Sequence, residues 1–130
     1  MGELLISDLD VSYSGRGGRV TALERFSLDV PQGSLTVLLG ESGCGKTTAL
    51  NAVAGLVQPD AGRIVLDQEV LFEADDRQRP KVALPPNRRD IGMVFQSYAL
   101  WPHMTIVENV AYPLRRRKVP KSEALARACD

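Results

Sequence analysis

Apolar and polar positions change period several times along the chain, and each change predicts an element. Residues 3–11 carry apolar side chains at Leu5, Leu9 and Val11 with breaks between them, which predicts an edge strand. Ser14–Gly18 is turn chemistry, and Val20–Val30 alternates imperfectly up to Pro31-Gln32-Gly33, predicting a second strand antiparallel to the first. Leu35–Leu39 is a continuous apolar run between glycines, the pattern of a strand buried on both faces of a parallel sheet. Thr47–Leu56 switches to a helical period, with Gly55 near its end and Pro59 forbidding continuation. Residues 63–66 predict a short strand after the Gly62 turn. Residues 73–87 are polar, charged and flanked by prolines, and read as an exposed loop. Ile91–Phe95 predicts another short strand, and Leu100–Met104 an apolar-aromatic turn around Pro102. Thr105–Leu114 predicts a helix whose N-cap Thr105 and Glu108 make a capping box. A basic run, Arg115–Lys118, precedes a final helix from Ser122, with Leu125 and Ala128 on one face. That helix meets no stop signal before Asp130, so the chain reads as part of a longer protein.

Composition narrows the function. The 130 residues hold 16 Lys plus Arg and 16 Asp plus Glu, so no excess basic charge is available to neutralise a nucleic acid, and none is expected as a partner. With 44% apolar residues the chain has enough hydrophobic surface to fold. No apolar stretch is long enough to span a bilayer, and no export signal opens the sequence. Cys44 and Cys129 form no metal or disulfide pattern. The chain reads as cytosolic and soluble.

The candidate chemistry lies at Gly40-Glu41-Ser42-Gly43-Cys44-Gly45-Lys46-Thr47, which fits the Walker A phosphate loop between a strand and a helix. Its glycines let the backbone wrap with N–H groups turned inward, where they and the helix N-terminus bind phosphate oxygens. Lys46 reaches the β- and γ-phosphates, and the Thr47 hydroxyl is placed to coordinate a bridging Mg²⁺. The loop specifies a nucleoside triphosphate but leaves kinase, GTPase and transport ATPase chemistry open.

Beyond the loop, the chain resembles the nucleotide-binding subunit of ATP-binding cassette transporters, in the bacterial importer branch that serves ferric iron, polyamines and sugars. The resemblance rests on Gly40–Thr48, on Ala54-Gly55-Leu56 with Pro59 and Gly62, on Pro86–Leu100, and on Trp101-Pro102-His103-Met104-Thr105 through Glu108-Asn109-Val110. It implies an α/β P-loop NTPase, N-terminal portion only. Residues of about 3–34 and 62–90 would form a small antiparallel β-subdomain. Residues 35–58 would supply the loop's strand and helix, the first part of a RecA-like parallel-sheet core, and 91–114 the Q-loop region. The cofactors implied are ATP and Mg²⁺, held by Gly40, Ser42, Gly43, Cys44, Gly45, Lys46, Thr47 and Thr48, with Tyr13 stacked on adenine. Gln96 and Lys46 take the catalytic roles, and Thr47 and Gln96 are the metal ligands. The partners implied are a transmembrane permease subunit, met through about Tyr98–Met104, and a second ATPase subunit in a homodimer on the cytoplasmic face of the membrane. His103 is structural or interfacial. The wording around Leu100–His103 and Tyr112-Pro113-Leu114 leans toward ferric iron as solute.

Other segments imitate functional features. Ile64-Val65-Leu66-Asp67 mimics a Walker B strand, but the resemblance puts Asp67 at the start of a turn. Ser14–Gly18 imitates the family's signature loop and reads as a hairpin turn. Arg88 and Arg89 suggest arginine fingers, yet the preferred reading is a solvated charged loop. Residues 68–84 read as an insertion. The family's signature loop, true Walker B, catalytic glutamate and switch histidine all lie beyond residue 130. The segment alone is therefore expected to bind nucleotide without efficient hydrolysis, since loss of a positioned base costs on the order of 10²–10⁴-fold. The 35–39 strand is expected to present open edges that invite self-association. The rivals are another P-loop NTPase such as a kinase, and a non-catalytic nucleotide-binding module.

Overall fold

Two long strands, β1 (Leu4–Gly15) and β2 (Gly18–Val30), open a computed structural model that describes residues 2–15, 17–75, 79–97 and 100–129. They pair antiparallel from Leu4↔Val30 to Gly15↔Gly18, as the turn chemistry predicts. The break in the apolar pattern of β1 has a structural cause. Asp8 takes φ 46° at an irregularity in the pairing, so one residue is absorbed and Ile6, Leu9 and Val11 share the buried face. Leu5, one of the apolar positions that marked the strand, is 37% exposed, because the bulge puts it on the opposite face from Leu9 and Val11.

β3 (Ala61–Leu66) pairs with β1, and β4 (Glu69–Ala74) pairs back onto β3. A two-residue β5 (Val82–Ala83) completes a five-stranded antiparallel sheet in the order β2-β1-β3-β4-β5. The exposed loop expected over 73–87 thus contains the end of β4, all of β5 and the start of a 3₁₀ turn at Pro86–Arg88. Lys81 N–H donates to the Glu73 carbonyl and Leu84 N–H to that of Leu71, so backbone pairing overrides the polar composition.

Helix α1 (Lys46–Ala54) lies against one face of this sheet. Its buried residues, Ala49 and Ala52, join Ile6, Leu9, Val11, Leu23, Ile64, Leu71 and Phe72 in one core. Gly55 ends the helix with φ 78°, and its N–H returns to the Ala52 carbonyl.

The two strands expected at Leu35–Leu39 and Ile91–Phe95 are not formed. Both segments lack strand pairing, and Leu35, Leu39 and Val94 are 92%, 90% and 98% exposed. A strand is stabilised only when a neighbour takes its N–H and C=O groups, and all the strand pairing among the described residues lies within the antiparallel sheet. Leu38 and Ile91 alone keep a place beside the core.

The chain divides into residues 1–93 and 94–130. The second unit holds α2 (Ile106–Arg116) and α3 (Lys121–Arg127), which pack on each other through buried Ala111 and Ala124. Thr105 and Glu108 form the expected capping box. Among the described residues no helix is long and apolar enough to cross a membrane.

Candidate functional site

The phosphate loop is held from below by β2. Gly45, the N-cap of α1, has φ 95°, and a Cβ there would meet the Ala22 carbonyl oxygen at 2.5 Å and Leu23 Cδ2 at 2.7 Å. Only glycine lets the chain turn into the helix so close to the sheet. No side chain caps α1, so the N–H groups of its first turn have no intrahelical acceptor and are directed out of the helix end. Lys46 curls over the loop: its Nζ donates to the carbonyls of Gly40 at 2.7 Å and Glu41 at 2.6 Å, and lies 3.4 Å from Cys44 Sγ. The ammonium is therefore already positioned over the loop by neutral acceptors, for which an anionic oxygen is a stronger substitute. Ser42 and Gly43 are exposed along the loop, and Thr47 exposes its side chain in the first turn of α1.

Tyr13 comes to the same place from β1. Its hydroxyl lies 3.3 Å from Thr48 Oγ1, within hydrogen-bond distance, and the residue is 44% exposed. The hairpin thus brings together Tyr13 and the helix that carries Lys46 and Thr47, residues more than thirty positions apart in sequence. The donor set fits Mg²⁺ only as a minor contributor. The Thr47 hydroxyl is one hard oxygen ligand, and the described residues contain no cluster of His, Cys, Asp or Glu suited to a metal.

Gln96 lies in an exposed bend rather than at the end of a strand, and belongs to the second unit whereas the loop belongs to the first. In that second unit the apolar-aromatic turn is well built. Trp101 stacks edge-on to His103 with centroids 6.0 Å apart and tilts against Tyr112 at 5.8 Å. Asn109 fastens the turn to α2: its Nδ2 donates to the carbonyls of Trp101, Met104 and Thr105, and its Oδ1 accepts from Trp101 N–H at 2.8 Å. Leu100 and Trp101 remain 68% and 48% exposed. Tyr98 lies outside the described residues.

Asp67 is a turn residue, as expected. It and Gln68 both have positive φ between β3 and β4, and Asp67 Oδ1 accepts from Glu3 N–H at 2.8 Å. The reading of Arg89 as solvated is corrected. Arg89 is 6% exposed and donates to four backbone carbonyls: Leu84 (2.9 Å), Ala52 and Val53 (both 2.7 Å) and, at 3.5 Å, Leu71. Burial pushes its guanidinium below the ordinary arginine range. Arg88 beside it is exposed. Composition gave no means of separating the two, because the choice depends on which one the 3₁₀ turn points at α1.

A sequence profile described as ABC transporter matches residues 23–129. The chain is 48% identical over 106 residues to the trehalose/maltose import ATP-binding protein of Thermococcus litoralis, covering 82% of this chain and 27% of that protein. It is 45% identical over 122 residues to the spermidine/putrescine import ATP-binding protein of Thermobifida fusca, covering 92% and 29%. To the Fe(3+) ions import ATP-binding protein of Brucella abortus it is 50% identical over 111 residues, covering 85% and 29%. Among solved structures it resembles a dimeric ATP-binding cassette in a post-hydrolysis state bound to ADP and Pi, with TM-score 0.80, 27% identity, and coverage of 97% of this chain and 54% of that one. The chain thus spans under a third of the length of these curated relatives.

Proposed function

The chain belongs to the ABC transporter family, and from that premise we propose that it is the nucleotide-gripping part of an importer's ATPase subunit. The observation that carries the reading is the convergence of Lys46, the α1 N-terminus and the Tyr13–Thr48 contact beside the β1–β2 hairpin. In this reading the loop N–H groups of Ser42–Thr48 and the Lys46 ammonium hold the phosphates. Gly40 leaves room for that wrap, and the Tyr13 ring carries the adenine. Thr47 would offer its hydroxyl to Mg²⁺, which would neutralise phosphate charge when bound, and Gln96 of the second unit is the proposed further metal ligand and water-orienting residue. Residues 3–34 and 62–90 act as the β-subdomain that presents Tyr13, 35–58 carry the loop, and 91–114 carry Gln96 and the permease-facing turn.

The exposed Leu100–Met104 turn, stiffened by Asn109, suits the permease contact, since apolar and aromatic side chains anchor such interfaces. A second copy would complete each nucleotide site, as the dimeric solved relative suggests. The subunit would sit on the cytoplasmic face of the membrane, coupling closure and hydrolysis to solute uptake. Ferric iron is the solute favoured here among those named for its relatives. The 130-residue chain by itself binds Mg·ATP and hydrolyses it poorly.

The test is titration of the chain with Mg·ATP and Mg·GTP by calorimetry, together with phosphate release. Binding that Lys46→Ala weakens about tenfold or more, with negligible release, supports the reading. Rapid Lys46-dependent release by the isolated chain would overturn it and favour a kinase-like or self-sufficient NTPase.

A further inference from the structure

Helix α1 is nine residues long, about 14 Å at roughly 1.5 Å per residue, and the phosphate loop is attached to one end. Its packing on the sheet rests largely on two alanines, Ala49 and Ala52. Beside it runs an apolar groove of about 140 Å³ bounded by Leu4, Ile6, Leu28, Val30, Leu38 and Val53. Small side chains and a neighbouring void leave the tilt of a short helix weakly determined by packing alone.

The opposite end of α1 is where Arg89 sits. Its Nη1 takes the carbonyls of Ala52 and Val53, its Nε that of Leu84, and its Nη2 that of Leu71 on β4. One planar fork therefore ties the last turn of α1 to two segments of the β-subdomain. A buried guanidinium must keep its acceptors, so the tie is geometrically demanding. The positive charge also lies at the negative end of the helix dipole. Gly55 leaves just enough space: a Cβ there would lie 2.8 Å from Arg89 Cζ.

We propose that Arg89 is a positioning residue that fixes the tilt of α1 and thereby the placement of the phosphate loop against Tyr13. The proposal rests on the nucleotide-binding reading for its consequence, and on α1 orientation for its direct test. Arg89 touches no nucleotide and acts only through α1.

The experiment uses the whole 130-residue chain. Residual dipolar couplings of α1 amides, referenced to those of β1 and β3, report the helix orientation, and calorimetry reports Mg·ATP affinity. Arg89→Lys keeps the charge but cannot span three segments. It is expected to leave the β1 and β3 couplings fitting the wild-type frame while those of α1 no longer fit, and to weaken Mg·ATP about tenfold or more through misplacement. Ile64→Val, a core change that lowers stability without touching this tie, is expected to alter neither. Unchanged α1 couplings in Arg89→Lys would overturn the proposal, as would altered couplings with wild-type affinity. If the wild-type chain binds no Mg·ATP, the nucleotide reading falls, and the couplings still decide the role of Arg89. Should Arg89→Lys not fold, the wild-type guanidinium decides. Separate, slowly exchanging Nη signals support the tie, and signals averaged by free rotation overturn it.

Discussion

Arg89 Nη1 donates to the carbonyl oxygen of Ala52 at 2.7 Å, in the last turn of the helix whose first residue is Lys46. A residue near the sheet's last strand thus closes the end of the helix opposite the phosphate loop. That carbonyl also accepts from Gly55 N–H at 3.1 Å, so the helix end is held by its own cap and by a distant side chain together.

Gly55 is the site where this arrangement is most sensitive to a single methyl. Gly55→Ala must adopt φ 78° and intrude on the Arg89 guanidinium. The expected loss is at least about 1 kcal/mol, from left-handed backbone strain alone. Urea unfolding midpoints of the two proteins measure it, and an unchanged midpoint would contradict the observed geometry.

Lys46→Ala removes a cation held over the loop by the Gly40 and Glu41 carbonyls. Those groups are exposed, so stability should change little. Mg·ATP affinity should fall roughly tenfold or more, since a charge-assisted hydrogen bond contributes about 1.5–3 kcal/mol. Calorimetric titration alongside a thermal melt separates the two effects.

Tyr13 offers a graded test of the proposed adenine contact. Tyr13→Phe loses the hydroxyl contact with Thr48 but keeps the ring, so nucleotide affinity should stay within about threefold. Tyr13→Ala should weaken binding by about 1–3 kcal/mol. Equal loss in both variants would place the importance on the hydroxyl instead of the ring.

Acid should loosen α2 from its N-terminus. Hydrogen bonds from the Thr105 backbone N–H and hydroxyl hold the Glu108 carboxyl below the ordinary glutamate range. A carboxyl depressed in the folded state contributes stability above its unfolded value, and that contribution is lost as pH falls through the folded value. Protection of the amides in Ile106–Val110, taken relative to their intrinsic exchange rate at each pH, should therefore fall below the ordinary glutamate range in the wild type. Glu108→Gln should flatten that dependence, and an unaltered pH profile in the variant would count against the capping box as its source.

Asp60 adds a second acid-sensitive contact in the first unit. Burial raises its pKa, but the Arg19 hydrogen bond, the nearby polar groups of Ser12 and the Arg19 charge outweigh burial and leave it lowered. The pair is partly exposed, so Asp60→Asn should reduce stability only modestly, and less so in acid, where the wild-type carboxyl is protonated as well. Urea midpoints at neutral and acid pH check the sign.

Several features are legible from neighbouring residues alone. The phosphate loop is one, because its glycines, Lys46 and the following helix lie within a few positions of each other. The Thr105–Glu108 box and the hairpin at Gly15–Gly18 are others, each closed by short-range hydrogen bonds or turn geometry. The family followed from a resemblance carried by quoted stretches of sequence, and the turn role of Asp67 followed from that resemblance. In the loop, the capping box and the hairpin the deciding interaction spans at most a few residues, so chain order already specifies it.

What only the tertiary structure decided depends on partners far along the chain. The apolar runs at Leu35–Leu39 and Ile91–Phe95 have strand composition, yet pairing requires a neighbour with free N–H and C=O groups, and the described sheet places none beside them. Ile6 replaces Leu5 in the core because one bulge at Asp8 reverses the faces of β1. Lys81 and Leu84 become part of a sheet because Glu73 and Leu71 offer carbonyls to their N–H groups. Arg89 and Arg88 are chemically identical in sequence. One is buried and the other exposed because the end of α1, more than thirty residues earlier, presents carbonyls that only one of them reaches. Sequence sets which groups exist and how they are spaced, while burial and pairing are settled by where the rest of the chain has folded.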